Sequence, residues 1–453
     1  MKGRVISAVL AVGFMAFVGR SSGVAASGSI TQISSDPFSS PTPCQHHTEV
    51  EPDVYSWGST VVAAVQQGRC AGGGSTDPGW ATYSNGSWQH GSLPGLTQYA
   101  SPPGPYAAAS DPAVVYDAKH GVWLIVTLDL PNGNGDAVSV NSSADGLTWQ
   151  NPVTVATTTN TFFDKTWITC DNWSSSPHYG NCYVEFDDAG QGDVPYMATS
   201  SDGGNTWGAR VQVTGGTTGL GGQPVVQPNG TVIVPFASDA GAISAFRSTD
   251  GGKTWGNEVN VATVQDHFEA GNLRSPDLPS AEIDGKGKVY VTWADCRFES
   301  GCSANDIVMS TSTTGAKWSK VVRIPIDPVG SGVDHFLPGL GVDRTTSGKK
   351  TDLALVYYYY PVSNCGNSCQ LDVGYLSSTN AGKTWSPATQ LAGPMQLSWL
   401  AQAGGPMVGD YMATTILNNT AYPVFVVANA PSKGVFDEAL YSTQFPITGG
   451  TRR

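Results

Sequence analysis

Seven short runs of β-branched and aromatic residues recur along the chain: "VVAAV" from Val61, "VWLIV" from Val122, "CYVEF" from Cys182, "TVIVPF" from Thr231, "KVYVTW" from Lys288, "LALVYYYY" from Leu353 and "YPVFVV" from Tyr422. Bounded by Gly, Pro, Asn, Asp and Ser, they read as strands. The first six are each followed by a polar phrase that ends in tryptophan. The clearest copies are "SSDGGNTW", residues 200–207, and "STDGGKTW", residues 248–255, which share Ser-x-Asp-x-Gly-x-Thr-Trp. Weaker copies end at Trp149, with Ala144 where the aspartate is expected, at Trp318, with Thr313, at Trp385, with Asn380, and at Trp88.

A strand run and a phrase that recur together describe one supersecondary unit, repeated. The phrase is turn chemistry. The carboxylate accepts from N–H groups of its own turn, glycine supplies positive φ, and the tryptophan buries a large face as the next strand begins. Asp202 and Asp250 are therefore read as structural. The seventh run has a partner in "EALYST" from Glu438, but the chain ends before another tryptophan turn. "SITQIS" from Ser29 has the pattern of the missing outer strand. The prediction is an all-β fold, a β-propeller of four-stranded blades whose ring is closed by the N-terminal strand; seven blades fit the count, with six the alternative.

The start of the chain reads as a signal peptide over residues 1–26: Lys2 and Arg4, an apolar stretch from Val5 to Val18, then small residues at Val24 and Ala26. The stretch is too short to span a bilayer comfortably. Residues 27–453 are then a single propeller domain, expected to be secreted and monomeric. Eight cysteines fall as neighbours in four pairs, Cys44 with Cys70, Cys170 with Cys182, Cys296 with Cys302 and Cys365 with Cys369. Proximity selects these among the 105 possible pairings, and disulfides suit an oxidising compartment. A net charge of −13 with 13% charged residues argues against nucleic acid or an anionic membrane as partner.

The repeated phrase resembles the Asp box, or bacterial neuraminidase repeat, of the sialidase superfamily, and the copies cover nearly the whole mature chain. That resemblance implies a site on the face opposite the boxes, where the first strand of each blade begins. Residues there are Glu49, Glu51, Asp53, Asp111, Asp164, Lys165, Gln223, Asp277, Asp334, His335, Asp410 and Tyr411. It also implies an arginine clamp for a substrate carboxylate, mapped to Arg69, Arg274 and Arg297, because guanidinium forks match carboxylate oxygens. A tyrosine nucleophile maps to Tyr411, its activator to Glu51 and the general acid to Asp111, with Asp164, Asp410 and His335 contacting substrate. The Arg-Ile-Pro signature of a sialidase's first blade is absent, and "VEPDV" stands in its place.

The expected function is a secreted carbohydrate-active protein, a sialidase-like glycoside hydrolase acting on an extracellular glycan. No cofactor is required, although a structural cation such as calcium suits the acidic mouth. Two alternatives stay open. One is a non-catalytic propeller that binds a glycan, peptide or cation. The other is a polysaccharide lyase using a histidine such as His46, His47 or His335.

Overall fold

The computed structural model describes residues 29–41, 43–131 and 136–450. The signal peptide expected over residues 1–26 lies outside the described residues. The regular structure described is almost entirely antiparallel β-strand, arranged as successive four-stranded sheets. The first sheet holds Cys44–Trp57, Thr60–Cys70, Ser75–Ser84 and Ser87–Ser92; the second holds Ala108–Asp117, Val122–Leu130, Ala137–Ser143 and Val153–Thr157. A single pairing of Ser75 with Ala109 joins these two. The third sheet spans residues 163–212, the fourth 219–263, the fifth 280–323 and the sixth 334–396.

The seventh sheet is assembled from both ends of the chain. Ala413–Leu417, Thr420–Ala428 and Glu438–Ser442 are completed by Thr31 and Gln32, which pair with Ser442 and Tyr441. The strand predicted around Ser29 to Ile33 is thus the outer strand of this sheet. The first strand of each sheet lies against that of the next, and Ala413–Leu417 touches both Asp334–Val342 and Cys44–Trp57. The arrangement is that of a β-propeller.

The seven runs that read as strands are the second strands of their sheets. They are buried on both faces, which is why they run apolar without alternation. Val61 to Val65 and Tyr183 to Val184 have no exposed surface. Neighbouring sheets close over them with aromatic contacts such as Tyr55 on Trp123 and Tyr183 on Trp255. All four cysteine pairs expected from proximity are disulfides. No helix among the described residues is long and apolar enough to cross a membrane.

The repeated phrase forms one turn, three times with the same wiring and a fourth time, at Trp149, in a shortened form. Asp202 Oδ1 accepts from Thr206 N at 2.9 Å and from Ser200 Oγ at 2.9 Å, and Thr206 Oγ1 donates to Oδ2 at 2.6 Å. Asp250 repeats this with Thr254 and Ser248. Asn380 supplies the acceptor for Thr384 N at 2.9 Å. At Trp149 the expectation is corrected: Ala144 is not the key position, because Asp145 accepts from Leu147 N and Thr148 N in a turn one residue shorter. The Trp88 copy is a plain hairpin at Asn85 and Gly86, both at positive φ. Asp202→Ala is expected to cost about 1 kcal/mol by urea denaturation, since the lost bonds lie at the surface where water competes. A loss near zero would mean the turn holds without its carboxylate.

Candidate active site

The turns that carry Asp202 and Asp250 share one end of the molecule with the connections between first and second strands. Asn181, in such a connection, donates to Gly251 O in the neighbouring turn at 3.4 Å. The candidate site lies at the opposite end, where the first strands begin.

Four first strands carry the same irregularity there. Register breaks between Val50 and Asp53, Ser110 and Ala113, Asp164 and Trp167, and Phe336 and Gly339. Inside each break one residue takes a left-handed backbone: Glu51 (φ 56°), Asp111 (46°), Lys165 (45°) and Leu337 (48°). A bulge of this kind re-aims a side chain and costs of order 1–3 kcal/mol where the residue is not glycine. Here it turns Glu51, Asp111 and Lys165 toward one another.

Lys165 is the hub. Its Nζ lies 2.5 Å from Asp410 Oδ2, 3.8 Å from Asp111 Oδ1, 3.8 Å from Asp164 Oδ1 and 3.9 Å from Glu51 Oε1. Arg274 closes on the same Asp410, with Nε 2.7 Å from Oδ1 and Nη2 on Oδ2. Gln66 donates to Glu51 Oε2 and to Ser110 Oγ, and its own carbonyl accepts from Arg69 at 2.9 Å. Glu51, Asp111 and Asp410 are buried, whereas the Asp164 and Arg274 side chains are 42% and 33% exposed. Solvent therefore reaches the cluster past Asp164 and Arg274. The segment 264–279 roofs the rest by running across to the hairpin of Ala401–Gln402 and Pro406–Met407, where Arg274 N bonds Pro406 O at 2.9 Å.

The four carboxyls separate into two kinds. Burial, reinforced by the charge of Asp111, pushes Glu51 well above the usual carboxylate range. Asp164 is also raised, by burial and Asp111 against the pull of Lys165. Asp111 is lowered because Lys165 and a hydrogen bond from Glu51 outweigh its burial. Asp410 is lowered too, since Lys165 and Arg274 together overcome its burial. Lys165 is raised by all four partners despite burial. The acidic mouth is thus met by the protein's own cations.

The residues expected at the site divide accordingly. Glu51, Asp111, Asp164, Asp410 and Arg274 are brought together, and Arg69 stands behind them through Gln66. Arg69 is buried and its Nη1 also donates to Gly74 O at 3.1 Å, so its fork is turned inward. Arg297 is elsewhere, with Nε 2.8 Å and Nη2 2.6 Å from the two oxygens of Asp295. The three arginines therefore do not form one open clamp, because each is already engaged. Tyr411 OH donates to Pro112 O at 3.1 Å, and burial with nearby Glu51 and Asp111 raises its pKa, which opposes ionisation to a nucleophile. His335 belongs to a separate group. Burial pushes it down to about 4, Nδ1 faces Asn305 O, and Asp327 is 3.9 Å away. Arg323 bridges Asp327 and Asp306 there at 2.6 and 2.7 Å, which gives that group an ion pair rather than an open cation site. His46 bonds Pro41 O at 3.1 Å, apart from the cluster.

The sequence places Lys165 at the mouth but gives it no role, and it does not select Gln66. The signal for the first was available. Glu51, Asp111 and Leu337 each precede a proline at the same offset in a first strand, and Lys165 occupies that offset in the third sheet.

No protein-family model matches the chain, and neither does any curated protein. Solved structures match it in shape. The α-L-arabinofuranosidase Arb93A from Fusarium graminearum aligns over 93% of this chain and 98% of its own at 11% identity, with a TM-score of 0.50. The Hadza microbial sialidase Hz136 aligns over 88% of this chain at 14% identity and a TM-score of 0.46, and this chain spans only 66% of it. NanB sialidase from Streptococcus pneumoniae aligns over 92% of this chain and 70% of its own at 15% identity and a TM-score of 0.45. At such identities the likeness is one of fold alone, in keeping with the propeller arrangement of the sheets.

Proposed function

We propose that the protein is a secreted carbohydrate-active enzyme, a glycoside hydrolase that cleaves an extracellular glycan at the mouth around Lys165. The observation that carries this reading is the division of the four carboxyls on one lysine: Glu51 and Asp164 toward the protonated form, Asp111 and Asp410 toward the ionised. Cleaving a glycosidic bond needs a carboxyl that gives a proton to the leaving oxygen and an anion that faces the developing oxocarbenium ion. Asp164, the exposed member, is assigned the proton transfer. Glu51 and Asp111 hold a proton behind it, and Asp410 supplies fixed negative charge. Arg274, partly exposed beside Asp410, orients substrate hydroxyls.

The same end of the molecule carries Phe162, Phe268 and Phe298 with exposed rings, together with Val329, Val362 and Val435. An extended glycan has apolar ring faces that such side chains cover. The reading takes the seven sheets as seven blades, the repeated turns as Asp boxes, residues 1–26 as a cleaved signal peptide and the mature chain as a monomer. The disulfides suit that compartment.

One observation favours a second reading, that of a non-catalytic glycan-binding face. Glu51, Asp111 and Asp410 are buried and already partnered, as in a structural ionic plug. Sugar release from a panel of sialylated, arabinan and neutral glycans separates the two. Catalysis requires product from the wild-type chain and a fall of about a hundredfold or more in Asp164→Asn and Glu51→Gln at unchanged fold. Binding at this mouth without product from any glycan favours the second reading. Neither product nor binding overturns both.

A further inference from the structure

The channel has a second mouth, at the end that carries the repeated turns, and it is hollow. A cavity of about 410 Å³ is bounded by Ser56, Trp57, Glu282, Arg344 and Thr415. A second, of about 220 Å³, is bounded by Tyr55, Trp57, Asn172, Trp173 and Arg344. Trp57 and Arg344 belong to both, and Arg344 also borders the narrower hollow that continues into the channel beside Asp53 and Gln223.

The chemistry of these two shared residues defines the occupant. The Arg344 guanidinium lies over the Tyr55 ring at 4.2 Å, with Nη2 3.1 Å from Glu282 Oε2 and the side chain 33% exposed. A guanidinium carries five N–H donors in a fixed fork, so one carboxylate contact leaves donors for an entering group. Glu282 cancels its charge, and Asp343 lies alongside. With a net charge of −13 on the chain, a polyanion is repelled rather than drawn in. Trp57 is 36% exposed and stacks against Tyr116 at 5.5 Å, which fixes its plane. Ser56 and Thr415 add hydroxyls, held to each other at 2.7 Å. Immobilised aromatic surface, uncharged hydroxyls and a charge-balanced donor fork together suit a molecule with apolar ring faces and a rim of hydroxyl acceptors. A purely apolar ligand would leave the Arg344 donors unpaired, at the cost of their hydration.

We propose that this mouth is a second, non-catalytic binding site for a neutral oligosaccharide, seated across Trp57 with rings in both cavities and hydroxyls on Arg344. The inference does not rest on catalysis at the Lys165 mouth. It is tested with the full chain by calorimetric titration of cellotetraose, xylotetraose, mannotetraose and arabinotetraose, with tetragalacturonate as the anionic probe. At least one neutral tetrasaccharide is expected to bind. Trp57→Ala and Arg344→Gln are each expected to weaken that binding tenfold or more, and Asp164→Asn at the far mouth to leave it within twofold. Should Arg344→Gln fold poorly, the Glu282→Gln/Arg344→Gln pair removes the donors without stranding the carboxylate. The proposal fails if none of the neutral probes binds, or if their binding survives both the Trp57 change and the Arg344 change. It fails equally if that binding is lost in Asp164→Asn, or if tetragalacturonate binds more tightly than every neutral probe.

Discussion

The melting temperature is expected to peak near pH 4 and to fall as pH rises from about 4 to 7. The cause is a set of carboxyls inside the sheets. Burial raises Glu49, Asp53 and Asp129 to about 7 and Asp136 and Asp372 to about 6. Asp77, Glu185, Asp187 and Glu438 are raised well above the carboxylate range by the same burial. Several have little to hold an anion: both oxygens of Glu185 and of Asp187 lack a hydrogen-bond partner. In the unfolded chain these groups titrate near pH 4. Folding therefore favours their neutral form. The stability this gives is complete below the unfolded pKa and is lost as pH climbs through the folded value near 7. Each fully buried group with a shift of this size contributes on the order of 2–4 kcal/mol.

The acid limb has the opposite sign. Asp145, Asp202 and Asp250 are lowered by hydrogen bonds from their own turns, which exceed a small burial effect, and Asp410 is lowered by Lys165 and Arg274. Their contribution is present above the unfolded pKa and disappears as pH drops through the folded one, below about 4. Thermal melts at fixed ionic strength between pH 3 and 9 check both limbs. Glu49→Gln with Asp129→Asn is expected to flatten the alkaline limb without moving the acid one. A melting temperature that holds or rises from pH 4 to 7 would refute this account.

Lys165→Met is expected to cost about 3–5 kcal/mol at pH 7, the cost of leaving buried charge without its partner. The lysine is the cation that four carboxyls share, and it links the first strands of the first three sheets to the segment before the seventh. Arg274 still covers Asp410 in the variant, but Glu51, Asp111 and Asp164 are left facing one another. Protonation relieves that repulsion, so much of the loss should return at pH 4. Chemical denaturation of wild type and variant at both pH values decides the matter. An equal loss at the two values would mean that the cost lies in packing, and that Lys165 is not the electrostatic hub assigned here.

How far the fold was legible follows from where its information sits. The second strands are buried on both faces, so each announces itself as an unbroken apolar run, as from Val122 and from Val289. The turns rest on residues two to four positions apart, so Ser200, Asp202 and Thr206 spell their own hydrogen bonds. Cysteines at opposite ends of one hairpin, such as Cys170 and Cys182, are adjacent in sequence and in space. Even the closing strand was legible, because its pattern at Thr31 and Gln32 answered a vacancy left at Ser442. At Trp149 local pattern failed by one position, since a shortened turn moved the carboxylate to Asp145.

The candidate site was only half legible. Sequence alone determined that acidic residues open the first strands, because that depends on strand order. The partner of each charge was decided by tertiary structure. Lys165 meets Asp410 across 245 residues, and Arg274 meets it across 136. Arg297 satisfies itself on Asp295 two residues away, and Tyr411 spends its hydroxyl on the carbonyl of Pro112. The hollow between Trp57 and Arg344 likewise exists only because the first and sixth sheets stand on either side of one channel. A side chain's type is written in the chain, but its protonation, its partner and its access to solvent depend on distances that closure of the ring alone sets.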